Sequence, residues 1–399
     1  MPLSKYLRYR PFMRLGICVL LFVNYAAAHA EPYTPASSAI VLERLPLRAN
    51  RPVAKELVEL RRAVKERPGD ANAAAQLAEL YFDTAVATGD PRYAGYARAV
   101  VAGYQGRLTP QLLLMRGMLL QYQHDFAGAL KDFAEALAQD PQFAAAHAWR
   151  GAIYLVQANY PAADLECAAL LQLKRDALWG ACKGLVQAYG GQLDAAYATL
   201  SQALQQSSQA ASRLWLLTRM AEVSVWRNQP QRAEEHFRQA LALGLEDAYL
   251  LAAWSDFLLD QERYQEAVDL LKTREASDPL LLRLALAQQA LKLPQAARST
   301  QMLGDRFAAA TLRGDTTHRA EEARFELLLR KNPAQALKLA ALNFAVQREP
   351  RDARIVLEAA VAAGDSAAAQ PARDWLQASG FADTRTRNLA AQSAKAAKP

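Results

Sequence analysis

The sequence feature that most constrains this chain is a helical hairpin that recurs along it at a regular spacing. Its clearest copy lies at 110–143 and reads PQLLLMRGMLLQYQHDFAGALKDFAEALAQDPQF. Small or apolar residues recur every three to four positions in each half, which is the pattern of one helix face. These residues are Leu113, Gly117, Leu120, Ala129, Phe133, Ala136 and Leu137. A single hairpin of this kind cannot bury both of its apolar faces, so it requires a neighbour.

Further copies of the hairpin follow with nearly constant spacing. The spacing from Gly117 to Gly151 is 34, that from Ala129 to Ala163 is also 34, and that from Gly151 to Gly184 is 33. This period, with small residues at fixed positions and a terminal proline, resembles the tetratricopeptide repeat (TPR) family. The residues that carry the resemblance in the first unit are Leu113, Gly117, Leu120, Ala129, Phe133, Ala136 and Pro141. The resemblance implies an all-α fold, a right-handed superhelical solenoid of TPR-like helical hairpins, and a function in binding proteins or peptides.

The fidelity of the repeat divides the chain into segments. We predict a TPR-like repeat array at 110–279, preceded at 53–109 by a capping helix and an irregular first hairpin. Asp70 is the predicted N-cap of that hairpin. Beyond residue 280 the period is lost, since the spacing from Ala267 to Ala296 is only 29, and we predict degenerate helical hairpins at 280–382. The proline-containing segment 31–52 is a predicted extended leader, and the Ala/Lys-rich segment 383–399 is a predicted disordered tail.

The segment 1–30 has the pattern of a secretory signal peptide. A basic start that includes Arg10 and Arg14 precedes a short apolar run at 15–23 and the small-x-small sequence Ala28-His29-Ala30. The alternative is an uncleaved anchor, but the run is shorter than the roughly 20 residues that span a bilayer. We therefore predict cleavage before Glu31, no transmembrane segment in the mature chain, and an exported, periplasmic location.

The formal net charge of +7 is concentrated at the two ends of the chain. Residues 1–30 carry +4 and residues 383–399 carry +3, which leaves 31–382 neutral. A neutral body lacks the basic surface that nucleic-acid binding requires, so we expect no nucleic-acid partner.

Two cysteines remain after removal of the signal segment, Cys167 and Cys182. The repeat register places them in the second helix of one unit and the first helix of the next, which pack together in a TPR stack. Exported proteins meet oxidising conditions, so these thiols are candidates for a disulfide. The alternative is that both are small buried apolar residues.

The sequence contains no motif for catalysis, metal binding or cofactor binding. Its histidines are not in metal-ligand spacing, and there is no Cys-x-x-Cys, P-loop, dinucleotide-binding or Gly-x-Ser-x-Gly motif. His124 lies in a predicted hairpin turn, where we expect it to be solvated. A pair of catalytic carboxylates among Glu222, Asp256 and Asp260 is the remaining enzymatic alternative. We expect no catalytic residues, no metal and no cofactor.

The candidate binding surface is the concave face that first helices form in a TPR stack. The register assigns Gln111, Leu114, Met118, Tyr122, Leu185, Tyr189, Trp215, Glu222, Trp226, Tyr249 and Asp256 to this face. Aromatic residues beside polar groups suit peptide recognition. The alternative is that some of them, Trp215 especially, belong to the core. Trp375, far along the chain, is expected to lie away from this face.

These observations favour a protein–protein interaction scaffold or adaptor that binds a peptide or protein segment on its concave face. Two alternatives stay open. One is a regulatory subunit of an envelope enzyme complex, which would share every feature above. The other is a glycan-acting enzyme with an unrecognised carboxylate site.

Overall fold

The computed structural model describes Ser37, Ile40 and residues 52–395. The predicted signal peptide and all but Ser37, Ile40 and Pro52 of the predicted leader lie outside the described residues. The chain divides into two compact units, 1–48 and 49–399, and everything described below belongs to the second.

Residues 52–395 form twenty α-helices and no strand. The helices are α1 Pro52–Glu66, α2 Ala71–Thr88, α3 Pro91–Gly103, α4 Pro110–Tyr122, α5 Phe126–Gln139, α6 Ala144–Val156, α7 Tyr160–Gln172, α8 Asp176–Tyr189, α9 Leu193–Gln206, α10 Ala210–Trp226, α11 Pro230–Ala242, α12 Ala248–Asp260, α13 Tyr264–Leu271, α14 Asp278–Ala290, α15 Gln295–Leu312, α16 Arg319–Leu328, α17 Pro333–Phe344, α18 Pro350–Ala363, α19 Gln370–Ser379 and α20 Thr384–Lys395. Between α1 and α20, successive helices pair into nine hairpins, from α2–α3 to α18–α19. The second unit is thus an all-α helical repeat solenoid.

The hairpin ends are set by local chemistry. Asp70 is an N-cap, as predicted, and its side chain accepts a hydrogen bond from the backbone N–H of Ala73. Six of the turns within the hairpins place a residue other than glycine in the left-handed region. These residues are His124, Ala158, Asn228, Glu262, Lys292 and Lys331, and Gly191 occupies the equivalent turn between α8 and α9. The turn geometry therefore repeats along the chain although its residue type does not.

The hairpins pack through small residues at fixed positions. Ala129 and Ala163 are fully buried. A Cβ atom added to Gly117 would lie 2.3 Å from the ring of Phe133, a residue that is itself fully buried. The absence of a side chain at Gly117 lets α4 and α5 approach closely, and the phenylalanine ring fills the space beside it.

The C-terminal hairpins make contacts with helices far earlier in the chain. The backbone N–H of Arg348, in the loop before α18, donates to the carbonyl of Val156 at the end of α6, at 2.6 Å. The indole N–H of Trp375 donates to the hydroxyl of Tyr160 at 2.9 Å. Each of these bonds joins the C-terminal hairpins to the middle of the repeat array. The last hairpins therefore pack back onto the array and close the second unit.

The predicted disordered tail is wrong for 384–395, which form helix α20. Asp383 caps this helix by accepting from the backbone N–H of Thr386 at 2.8 Å, and Thr386 and Ser393 are buried. The helix packs against α18. Ala-rich composition permits helix as well as disorder, and tertiary packing selects the helix. Residues 396–399 lie outside the described part. None of the described helices has the length and apolar content needed to cross a membrane.

Candidate functional site

Two neighbouring cavities are lined by first helices of the hairpins, and they define the candidate site. The apolar cavity, about 630 Å³, is lined mainly by α6, α8 and α10. The charged cavity, about 370 Å³, is lined mainly by α10, α12 and the N-terminal end of α18. Tyr249 and Arg351 line both cavities and mark the place where they meet.

The apolar cavity has hydrocarbon and aromatic walls. Trp149, Leu155, Leu185 and Trp215 contribute large side chains, and several alanines of α6 and α8 leave the space between them open. Trp215 is partly buried and packs against a core cluster in which Tyr189, 2% exposed, is a member, so the alternative that some predicted residues belong to the core holds for Tyr189 and in part for Trp215.

A buried polar network closes one end of the apolar cavity. The Arg219 guanidinium lies over the rings of Trp215 and Tyr249, with its Cζ 5.3 and 4.2 Å from their centroids. Arg219 Nη1 donates to Glu222 at 2.9 Å and to the hydroxyl of Tyr249, which in turn donates to Glu222 at 2.6 Å. The Nε–H of Arg219 is buried without a hydrogen-bond partner.

The same end receives a carboxylate from the loop before α18. Tyr189 donates its hydroxyl proton to Glu349 at 3.0 Å, and Arg351 Nη2 lies 3.0 Å from the second carboxylate oxygen. Burial raises the pKa of Glu349, but the positive charges of Arg351 and Arg219 outweigh it and lower that pKa below its usual value. Glu349 is therefore ionised at neutral pH.

The charged cavity holds carboxylates that are paired with arginines. Asp256 accepts from Arg283 at 2.6 Å and from Arg324 at 2.8 Å. Burial opposes ionisation, but these two guanidinium groups lower the pKa of Asp256 well below its usual value. Asp260 accepts from both terminal nitrogens of Arg354, at 2.6 and 2.8 Å. Asp256 is therefore a carboxylate rather than a carboxylic acid at neutral pH, and both aspartates are held in ion pairs with arginines.

Most of the predicted site residues line these cavities. Tyr189, Trp215 and Tyr249 line the apolar cavity, whereas Tyr122, Glu222, Trp226, Tyr249 and Asp256 line the charged cavity. Gln111 and Met118 line neither: Gln111 is exposed in the first turn of α4, and Met118 is 8% exposed and buried in the core. Helix α4 contributes Gln121 and Tyr122, at its C-terminal end, to the cavities, and the helix packs on α2 and α5.

Trp226 and Trp375 are closer to each other than the sequence predicts. The ring of Phe381 lies between them, with its centroid 5.3 Å from that of Trp226 and 5.4 Å from that of Trp375. A third cavity, about 650 Å³, lies beside Trp375 and is lined also by Tyr160 and Phe344. The last hairpins thus bring Trp375 near Trp226 through Phe381, but Trp375 itself lines neither of the two candidate cavities.

Several residues of the site could not be predicted from the sequence. Arg219, Glu349 and Arg351 carry no motif, and the last two belong to hairpins whose repeat pattern is degenerate. His124 is half-buried and lines the apolar cavity, in contrast to the solvated position expected for a turn. Burial, and then the charge of Arg351, lower the pKa of His124, so it is neutral at pH 7.

Cys167 and Cys182 form a disulfide between α7 and α8, with Cα atoms 5.5 Å apart. This distance lies within the range that a bridge requires. Cys182 lines the apolar cavity, so the bridge fixes one wall of it. Among the described residues, no group of three or more His, Cys, Asp or Glu side chains is arranged to hold a metal ion.

No protein-family model matches the sequence, and no curated protein sequence matches it. Solved structures do show similarity. A tetratricopeptide repeat protein from Parabacteroides merdae is 15% identical, with a TM-score of 0.43 over 59% of this chain and 92% of that chain. The P58(IPK) TPR domain is 15% identical, with a TM-score of 0.22 over 82% and 94%.

The structure of Naa15/Naa10 bound to HypK-THB is 13% identical, with a TM-score of 0.28; 86% of this chain and 58% of that chain are covered. The three likenesses are distant, and they carry no argument about a ligand or an activity. The class of the protein follows from its own helices, since paired α-helices with small residues at the contacts build a helical repeat solenoid. The chain resembles the tetratricopeptide repeat family.

Proposed function

We propose that this chain is an exported protein-interaction scaffold that holds a polar segment of a partner protein in the charged cavity. The observation that carries the proposal is the convergence of five predicted residues on this cavity, where aromatic rings stand beside fixed charges. Burial raises the pKa of one of them, Tyr122, to about 12, so its hydroxyl is a neutral hydrogen-bonding group at physiological pH. Aromatic side chains next to arginines are typical of sites that contribute strongly to protein binding.

The size and charge of the cavity indicate what it can accept. A volume of about 370 Å³ fits a few side chains of a bound segment rather than a folded domain. Asp256 and Asp260 face arginines of α14, α16 and α18, so acidic and basic groups of a partner can both find complementary charges. Binding of this kind requires no covalent step.

The glycan-acting alternative has less support from the geometry. A general acid needs a pKa near the working pH, whereas the pKa of Asp256 is lowered by Arg283 and Arg324. Asp260 is held by Arg354 and also lies 2.6 Å from Arg385. The alternative of a regulatory subunit is compatible with the same cavity, and it differs only in whether the bound partner has an activity that changes on binding.

The proposal is tested by site-specific photo-crosslinking in envelope extract. A photoreactive phenylalanine at Tyr122, in the charged cavity, should give a covalent adduct with one defined protein. The matched control is the same substitution at Tyr96, an exposed tyrosine of α3 that lines neither cavity. Equal adducts from both positions, or none from Tyr122, would refute binding in this cavity.

A second variant tests whether the charges in the cavity contribute to binding of the partner. Asp256→Asn leaves the shape of the cavity and removes the charge that faces Arg283 and Arg324. The adduct at Tyr122 should weaken in Asp256→Asn while the helical content stays that of the parent. An unchanged adduct would mean that the alternating charges do not contribute to recognition.

A further inference from the structure

The apolar cavity differs from the charged one in a way that points to a second kind of ligand. Ala148 and Ala152 of α6 and Ala177 and Ala181 of α8 line it where larger residues would fill it. The space is about 630 Å³, within the range of roughly 300–1,000 Å³ that small-molecule sites occupy. Small side chains on two facing helices therefore keep this space open.

The loop before α18 closes one side of this space. The backbone of Arg348 is bonded to Val156, and Glu349 is bonded to Tyr189, so the loop is fixed to α6 and α8. A polypeptide that ran along the first helices would have to displace this loop. A ligand that is short enough to end inside the cavity leaves this loop in place.

The polar end supplies hydrogen-bond donors in excess of acceptors. The formal charges of Arg219 and Arg351 are balanced by Glu222 and Glu349, but a guanidinium group carries five N–H donors. The Nε–H of Arg219 has no partner, and the Arg351 side chain is 47% exposed. Arg351 lies at the junction with the charged cavity and Arg219 lines the apolar cavity beside it, and their donors suit a group that only accepts hydrogen bonds.

We propose that the apolar cavity binds a long-chain carboxylate, with its hydrocarbon chain along the alanines of α6 and α8. The carboxylate lies at the junction and accepts from Arg351, and Arg219 turns its Nε–H toward it. The ligand buries apolar surface along its chain and gives the donors a charged acceptor. The hydrocarbon chain of this ligand and the proposed protein partner occupy different cavities, and the two ligands share only the junction at Tyr249 and Arg351.

The test is titration of the full mature chain with dodecanoate and with dodecanol, followed by the fluorescence of the cavity tryptophans and by calorimetry. Dodecanoate should bind saturably and at least tenfold more tightly than the alcohol, since a hydrogen bond to a charged group contributes more than a neutral one. From octanoate to dodecanoate, affinity should rise about fourfold for each added methylene. Absence of saturable binding, or equal binding of acid and alcohol, overturns the proposal.

Two variants locate the ligand, each with a matched control. Ala181→Leu fills the cavity and should abolish dodecanoate binding, whereas Ala297→Leu, on the exposed face of α15, should not change it. Arg351→Gln should weaken dodecanoate about tenfold and leave dodecanol unchanged, whereas the exposed Arg298→Gln should affect neither. If Ala181→Leu proves unfolded, Arg351→Gln alone decides, and an unchanged affinity for dodecanoate in that variant refutes the site.

Discussion

Substitution of Gly191 by alanine tests whether the last hairpins close the second unit. Gly191 forms the turn between α8 and α9 with φ +79°, and an added Cβ would lie 2.1 Å from the carbonyl oxygen of Gly380. That separation is far below van der Waals contact, so the segment after α19 would have to move. Phe381, which follows Gly380, is fully buried between Trp226 and Trp375 and would be pulled from its position.

The expected cost has two parts that can be separated. The left-handed backbone conformation costs an alanine about 1–2 kcal/mol. Displacement of Phe381 adds up to about 3 kcal/mol, the value of burying such a side chain. Gly314→Ala provides the matched control, because Gly314 has φ +68° and no atom within 4 Å of an added Cβ. Gly314→Ala should therefore show the first cost alone.

The assay is urea unfolding followed by far-UV circular dichroism, combined with limited proteolysis of the folded chain. Gly191→Ala should lower the unfolding midpoint more than Gly314→Ala, and it should expose the chain to cleavage near 380–395 under conditions where the control resists. Equal midpoints and equal cleavage in the two variants would contradict the closure described above.

The remaining predictions concern export, the disulfide, helix packing and pH. Intact-mass measurement of the exported chain should show an N-terminus at Glu31. An exported chain that still carries residues 1–30 would contradict cleavage at this position. Thiol labelling of the denatured, unreduced mature chain should find neither Cys167 nor Cys182 free, and two labelled thiols would exclude the bridge. Ala129→Leu should overpack α4 against α5 and cost roughly 1–3 kcal/mol in thermal unfolding, so an unchanged melting curve would refute the repeat register. Burial raises the pKa of Asp352 in the folded chain from 3.8 to about 7. The folded chain therefore binds this proton more tightly than the unfolded chain does, and the free energy of unfolding falls as the pH rises through that window. Relative to Asp352→Asn, the parent should lose stability between about pH 4 and pH 7, and parallel pH profiles would contradict this.

The helices and their pairing follow from the sequence because they depend on local patterns. The spacing of three to four positions predicts each helix face, Asp70 and similar residues mark helix starts, and the period of 34 predicts which helices neighbour each other. The assignment of small residues such as Gly117 and Ala129 to close helix contacts follows from the same period. All of these signals act over a short stretch of chain, comparable to a single repeat.

The candidate site depends in part on contacts that no local pattern encodes. Tyr189, Trp215 and Tyr249 follow from the register of the first helices, but Glu349 and Arg351 reach them from hairpins several repeats later in the chain. Composition at 383–399 is compatible with both disorder and helix, and only packing against α18 selects α20. The pairing of Asp256 and Asp260 with arginines of distant helices likewise has no signature in the chain.

The physical reason is that each repeat adds a small rotation to the one before it, and these rotations accumulate along a solenoid. The sequence determines each hairpin and its contact with the next hairpin through helix periodicity and small contact residues. The sum of many such steps decides where the last hairpins arrive. Tertiary structure alone therefore brings Trp375 to Tyr160 and Arg351 to Tyr249, and with them it forms the two cavities.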